Sequence, residues 1–102
     1  MEKILQDFIT NTPDLLNFFA GYFPLAEFEG TTDKQVVENY IDSNTPETIQ
    51  QTKVELEALS NNEETLQFIA RETNKYFESQ EDIWKWIQTI KEMYLKKLEK
   101  QV

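Results

Sequence analysis

The sequence predicts an all-α fold, a compact bundle of about six short helices forming a single domain over residues 1–102. Three observations carry this reading. Apolar residues recur at helical spacing in almost every stretch between polar boundaries. Helix start signals, either Thr-Pro-acid or a Ser, Thr or Asn followed three residues later by Gln, Glu or Asp, punctuate the chain. Two Gly and 3 Pro leave little material for the turns that hairpins need, and no two adjacent segments alternate as strands do. With 7 Phe, 4 Tyr and 2 Trp, the chain has enough large apolar side chains for one core and, at this length, too little chain for two.

Residues 2–10 gather Ile4, Leu5, Phe8 and Ile9 on one side, which predicts a short amphipathic helix. Thr12-Pro13-Asp14 then reads as a cap, a proline at the first helical position and an acid on the positive helix end, opening a second helix over about 13–20. Gly21 suits a left-handed terminator and Pro24 opposes an early restart, so residues 21–31 read as an irregular, aromatic loop. Thr32 with Gln35 fits a capping box for a helix over about 33–42, whose apolar face is Val36, Val37, Tyr40 and Ile41.

Thr45-Pro46-Glu47 repeats the cap and opens a helix carrying Ile49, Thr52, Leu56 and Leu59, which stops near Ser60-Asn61-Asn62. Asn61 with Glu64 starts the fifth helix, whose apolar side is Leu66, Ile69, Ala70, Thr73 and Phe77. Ser79 with Asp82 opens the last helix, about Gln80 to Lys97. Its apolar arc of Ile83, Trp86, Ile87, Ile90, Met93, Tyr94 and Leu98 is wide enough to place that helix against several others.

Composition narrows the chemistry. The absence of Cys removes disulfides, thiolate catalysis and zinc-thiolate sites; the absence of His removes the usual proton shuttle and the commonest transition-metal ligand. The neighbouring carboxylates Glu63-Glu64 and Glu81-Asp82 point about 100° apart on a helix and sit at helix starts, where acids stabilise the dipole. Ser43, Ser60 and Ser79 all fall at helix boundaries. There is no phosphate-cradling glycine loop and no Asp-rich calcium loop ending in Glu. No catalytic residue, metal site or cofactor is expected.

The net charge of -9 is unevenly distributed. Residues 1–82 carry seventeen acids against five bases, while residues 83–102 carry five lysines against two glutamates. The lysines suit the negative C-terminal end of the last helix. An acidic body repels nucleic acid and anionic membranes and attracts a basic protein. The N-terminus lacks the apolar core of a signal peptide and no stretch is long enough to span a bilayer, so a soluble cytoplasmic protein is expected. No sustained heptads suggest a coiled coil, and a monomer is the expected state. The run from Glu27 to Asp42 mixes acids with aromatics as interfaces do, and Glu27, Phe28, Glu29, Asp33, Glu38 and Asp42 are the candidate partner-binding residues. Trp84, at the edge of the last helix's arc, is a second candidate contact.

Leu15-Leu16-Asn17-Phe18-Phe19-Ala20-Gly21-Tyr22-Phe23 is followed by a Thr-initiated helix with Val36-Val37-Glu38-Asn39-Tyr40-Ile41, a Leu56/Leu59 helix and a tryptophan-bearing final helix. This ordered set, from Leu15 to Leu95, resembles the immunity proteins of bacterial contact-dependent growth inhibition systems. Where that family often carries an Asp-Trp pair shortly after Tyr-Phe, this chain reads Pro24-Leu25-Ala26-Glu27-Phe28. The resemblance implies a small cytoplasmic protein that binds and neutralises a cognate toxin domain, commonly a nuclease with a basic active site or substrate surface. An acidic nucleic-acid mimic and a helical adaptor for another basic protein are the alternative readings; a mimic differs in binding many basic proteins rather than one.

Overall fold

Residues 3–100 are described by a computed structural model, the side chain of Glu27 excepted. Glu2, expected in the first helix, lies outside them. The described residues form six helical rods. The first is α1 (Lys3–Asn11). The second comprises α2 (Pro13–Asn17), a π-helical segment (Phe18–Tyr22) and α3 (Phe23–Glu29) without a break. The remaining four are α4 (Asp33–Ser43), α5 (Pro46–Glu57), α6 (Glu63–Glu72) and α7 (Gln80–Lys100).

The second rod corrects the sequence reading. Gly21 does not terminate a helix and residues 21–29 are not a loop; the rod runs through both Gly21 and Pro24 and ends at Gly30, which takes the left-handed conformation at φ 74. The reason lies in the π-helical segment. Its wider turn re-registers the backbone immediately before Pro24, which then occupies the first turn of α3, where a missing N–H is tolerated. The same wide turn rotates the residues of α3 about the rod axis. At 100° per residue a regular helix would bring Tyr22 onto the face of Leu15, Phe18 and Phe19. Phe23 takes that place instead and is fully buried, with Ala26 beside it.

Three capping expectations are met by local hydrogen bonds. Thr32 and Gln35 form the reciprocal capping box, Thr45 accepts from the Thr48 N–H, and Ser79 accepts from the Asp82 N–H. Three other details differ. Asn62, not Asn61, caps α6 by accepting from the Thr65 N–H. Helix α6 stops at Glu72 because Asn74 turns left-handed at φ 61, so Phe77 reaches the core from a loop. Thr12 makes no side-chain cap; its hydroxyl donates back to the Phe8 carbonyl at 3.4 Å.

The Leu15 N–H, left without a local partner, is served from across the molecule. The carboxylate of Glu55 on α5, 5% exposed, accepts it at 2.9 Å, and its other oxygen accepts from the Gln51 side-chain amide at 2.8 Å. A buried anion thus caps the positive end of the second rod.

Every rod contributes to one core, and the radius of gyration, 13.0 Å, is that of a single packed chain of this length. Helix α7 lies against α4, α5 and α6 and buries Ile83, Ile87, Ile90 and Tyr94, as its wide apolar arc predicts. Phe18 is the aromatic hub: its ring sits 4.7 to 5.7 Å from those of Tyr40, Phe19, Phe23 and Tyr94. Polar ties run through this core. The Tyr94 hydroxyl donates to the Ile49 carbonyl at 2.8 Å. The Tyr40 and Thr52 hydroxyls share a hydrogen bond of 2.6 Å, and each also faces a carbonyl, Asp14 for Tyr40 at 3.5 Å and Thr48 for Thr52 at 2.9 Å. Among the described residues no buried side-chain polar atom lacks a partner.

Candidate partner-binding surface

The six candidate residues lie on α3 and α4, joined by the Gly30–Thr32 turn. The tertiary structure separates them by role. Phe28 is 90% exposed and Glu29 is exposed. The Glu27 backbone belongs to α3; its side chain lies outside the described set. Glu38 is half-buried at the edge of a groove of about 340 Å³ between α4 and α7, which Lys34, Lys96, Lys97 and Lys100 also line.

Asp33 and Asp42 are engaged within the molecule. Asp33 opens α4 on the core side, and one of its oxygens accepts from the Trp86 indole N–H at 2.8 Å. The other lies 3.4 Å from the Lys75 ammonium, itself 5.6 Å above the Trp86 ring. A charge-assisted bond of this kind is worth about 1.5–3 kcal/mol. Together the two contacts tie the start of α4 to α7 through Trp86 and to the loop between α6 and α7 through Lys75. Asp42 faces Lys97 of α7 at 3.4 Å, a more exposed pair and therefore a weaker one. The candidates thus divide into Phe28, Glu29 and Glu38, which reach the surface, and two aspartates that also fasten α4 to its neighbours.

Sequence reasoning missed several surface and core features. Leu25 is 61% and Tyr76 87% exposed. Tyr76 has no helical pattern around it to mark which way it faces, and Leu25 is turned out by the π-helical segment. Glu55 falls at the edge of the apolar arc of α5, and nothing within four residues signals the distant N–H it serves. Trp84, the second candidate contact, is half-buried against the core.

A second groove of about 590 Å³ lies between α5 and α7, walled by Ile41, Ile49, Leu95 and Leu98. Lys53 and Glu57 on its rim pair with one another at 3.3 Å. Among the described residues no three carboxylates converge as a metal site requires, and no helix is long and apolar enough to cross a membrane. Burial raises the hydroxyl pKa of Tyr40 and Tyr94, chiefly by desolvation, with the Thr52 hydrogen bond opposing it in both. Both groups are structural, each holding two helices together.

No curated protein and no solved structure matches the chain. A family described as CdiI immunity protein matches residues 11–102, a span that contains the whole Leu15 to Leu95 set, both tethered aspartates and the exposed end of α3. With nine-tenths of its length matched, the chain belongs to the CdiI immunity protein family.

Proposed function

We propose that this protein is an immunity protein that binds the toxin domain of a contact-dependent growth inhibition system in the cytoplasm and neutralises it. The toxin domain is basic and nuclease-like, and the protein, acting as a monomer without nucleic acid, membrane or cofactor, covers its active site or substrate-binding surface. Family membership over residues 11–102 is the observation that carries this reading. The charge distribution supports it independently. A nuclease holds phosphates with Lys and Arg, and a rigid surface bearing carboxylates can occupy the same groove and be steered into it. Glu27, Phe28, Glu29 and Glu38 are the direct contacts. Asp33 and Asp42 contribute field and hold α4 in place.

The test begins with co-expression against toxin domains from the source genome, scored by cell survival. The purified domain that the protein protects against is then used for association kinetics. The double reversal Glu29→Lys, Glu38→Lys should slow association about tenfold or more at low salt, with the difference shrinking as ionic strength rises. Protection against no toxin domain would overturn the role; an unchanged association rate would overturn electrostatic capture by this face. Retention of many basic proteins, all lost together as salt rises, would favour a nucleic-acid mimic.

A further inference from the structure

Charge alone steers partners together; long residence needs apolar side chains buried at the centre of the contact. Among the described residues the two most exposed large apolar side chains are Phe28 and Tyr76. Neither shares in the core, and a free aromatic ring costs solubility unless something covers it. They are 48 residues apart in sequence, yet they stand on segments fastened to each other. Phe28 lies five residues before Asp33, Tyr76 directly follows Lys75, and the Asp33, Lys75 and Trp86 side chains form one tie.

A second device acts on the same end of the chain. The π-helical segment brings Phe23 into the core and leaves Leu25 61% exposed on the rod that bears Phe28. The surroundings are predominantly acidic. Residues 23–34 and 71–82 together carry seven carboxylates against three bases, Lys34, Arg71 and Lys75; Lys75 is paired with Asp33, and Arg71 lines a shallow groove with Tyr76. Such a surface is complementary to apolar pockets ringed by Lys and Arg, and repels acidic or nucleic-acid partners.

We propose that Phe28 and Tyr76 are paired apolar anchors of a single docking surface, with Leu25 beside Phe28, and that its occupant is a basic protein domain whose apolar pockets are rimmed by Lys and Arg. This inference rests on the toxin-binding reading and identifies that domain as the toxin. In it Asp33 is a positioning residue, holding the two anchor-bearing segments together through Trp86 and Lys75, rather than a contact.

The probe is the purified toxin domain against which the intact protein protects cells, with binding followed by surface-immobilised kinetics. Phe28→Ala and Tyr76→Ala should each weaken binding about thirtyfold or more, mainly through faster dissociation and with little dependence on salt. Tyr76→Phe should restore binding. Ile9→Ala and Val54→Ala, which truncate half-exposed side chains on α1 and α5, should change affinity less than threefold. Because both anchors are exposed, thermal melts of the anchor variants should match the parent, separating lost contact from lost fold. Asp33→Asn should weaken binding and lower the melting temperature together, as a positioning role requires.

Anchor variants that bind within threefold of the parent, while the parent still protects, would overturn this inference and leave the immunity role standing. A parent that neutralises no toxin domain would overturn both. Loss confined to association rate, and abolished by salt, would reduce this face to a steering surface and refute the anchors.

Discussion

Replacing Glu55 is the most direct test of how the second rod is held. Its carboxylate accepts the Leu15 N–H at 2.9 Å in a buried setting, and no local cap competes for that donor because Thr12 turns away. Glu55→Ala leaves a buried N–H unsatisfied, at about 1–3 kcal/mol. It also removes a buried methylene, worth about 0.8 kcal/mol. Relief from burying a charge offsets part of this. The net expectation is a loss of about 2–3 kcal/mol.

Glu55→Gln keeps an acceptor oxygen for Leu15 but gives up the charge on the helix end and the acceptor for the Gln51 amide, which must turn its own oxygen toward the new NH2, so it should cost about 1 kcal/mol. Urea titration followed by tryptophan fluorescence is the assay, since Trp86 packs on Phe19 and Phe23 and reports the second rod directly. The midpoints should rank parent, Gln, Ala with the slope unchanged. An alanine variant within about 0.5 kcal/mol of the parent, well below the cost of an orphaned buried donor, would refute the capping argument. Equal losses in both variants would assign the effect to charge rather than to the acceptor.

The glycines should respond in opposite senses. Gly30→Ala forces a Cβ into the left-handed region and should cost about 1 kcal/mol, whereas Gly21→Ala sits inside a helix and meets only the Asn17 side-chain oxygen at 3.0 Å, which can move. Thermal melts should show the first variant lower and the second equal or higher; the reverse order would restore a terminator at Gly21. Asp33→Ala and Trp86→Phe should be non-additive by about 1.5 kcal/mol in a double-mutant cycle read by urea unfolding, and strict additivity would remove the tie.

Alkaline stability should follow Tyr40 and Tyr94. Their folded pKa values are raised above the ordinary tyrosine value of 10.0, so the unfolded chain releases protons first. The stability they contribute is complete below pH 10 and declines as pH rises above it. Absorbance of tyrosinate should show two of the four tyrosines ionising only with unfolding. Full ionisation of all four in a still-folded protein would contradict this.

What the sequence determined is what acts over three or four residues. The caps at Thr32, Thr45 and Ser79 were legible because a hydroxyl reaches an N–H only within its own first turn, and that reach does not depend on the rest of the chain. The core faces of α4 and α7 were legible because an apolar stripe has only one way to leave water. The acidic bias of residues 1–82 is a property of composition and needed no fold at all.

Tertiary structure decided the rest, wherever a local rule met a stronger distant contact. Gly21 and Pro24 favour a break, but burying Phe18, Phe19, Phe23 and Ala26 on one side of a continuous rod outweighs that preference, and the π-helical turn provides the register. Thr12 lost its capping role to a carboxylate forty residues away. Asp33 looked like a surface acid at a helix start, and becomes a tether only because α7 brings an indole N–H within 2.8 Å. Which acids and rings remain free for a partner depends on which ones the core has already engaged, and that is set by long-range packing that no local spacing encodes.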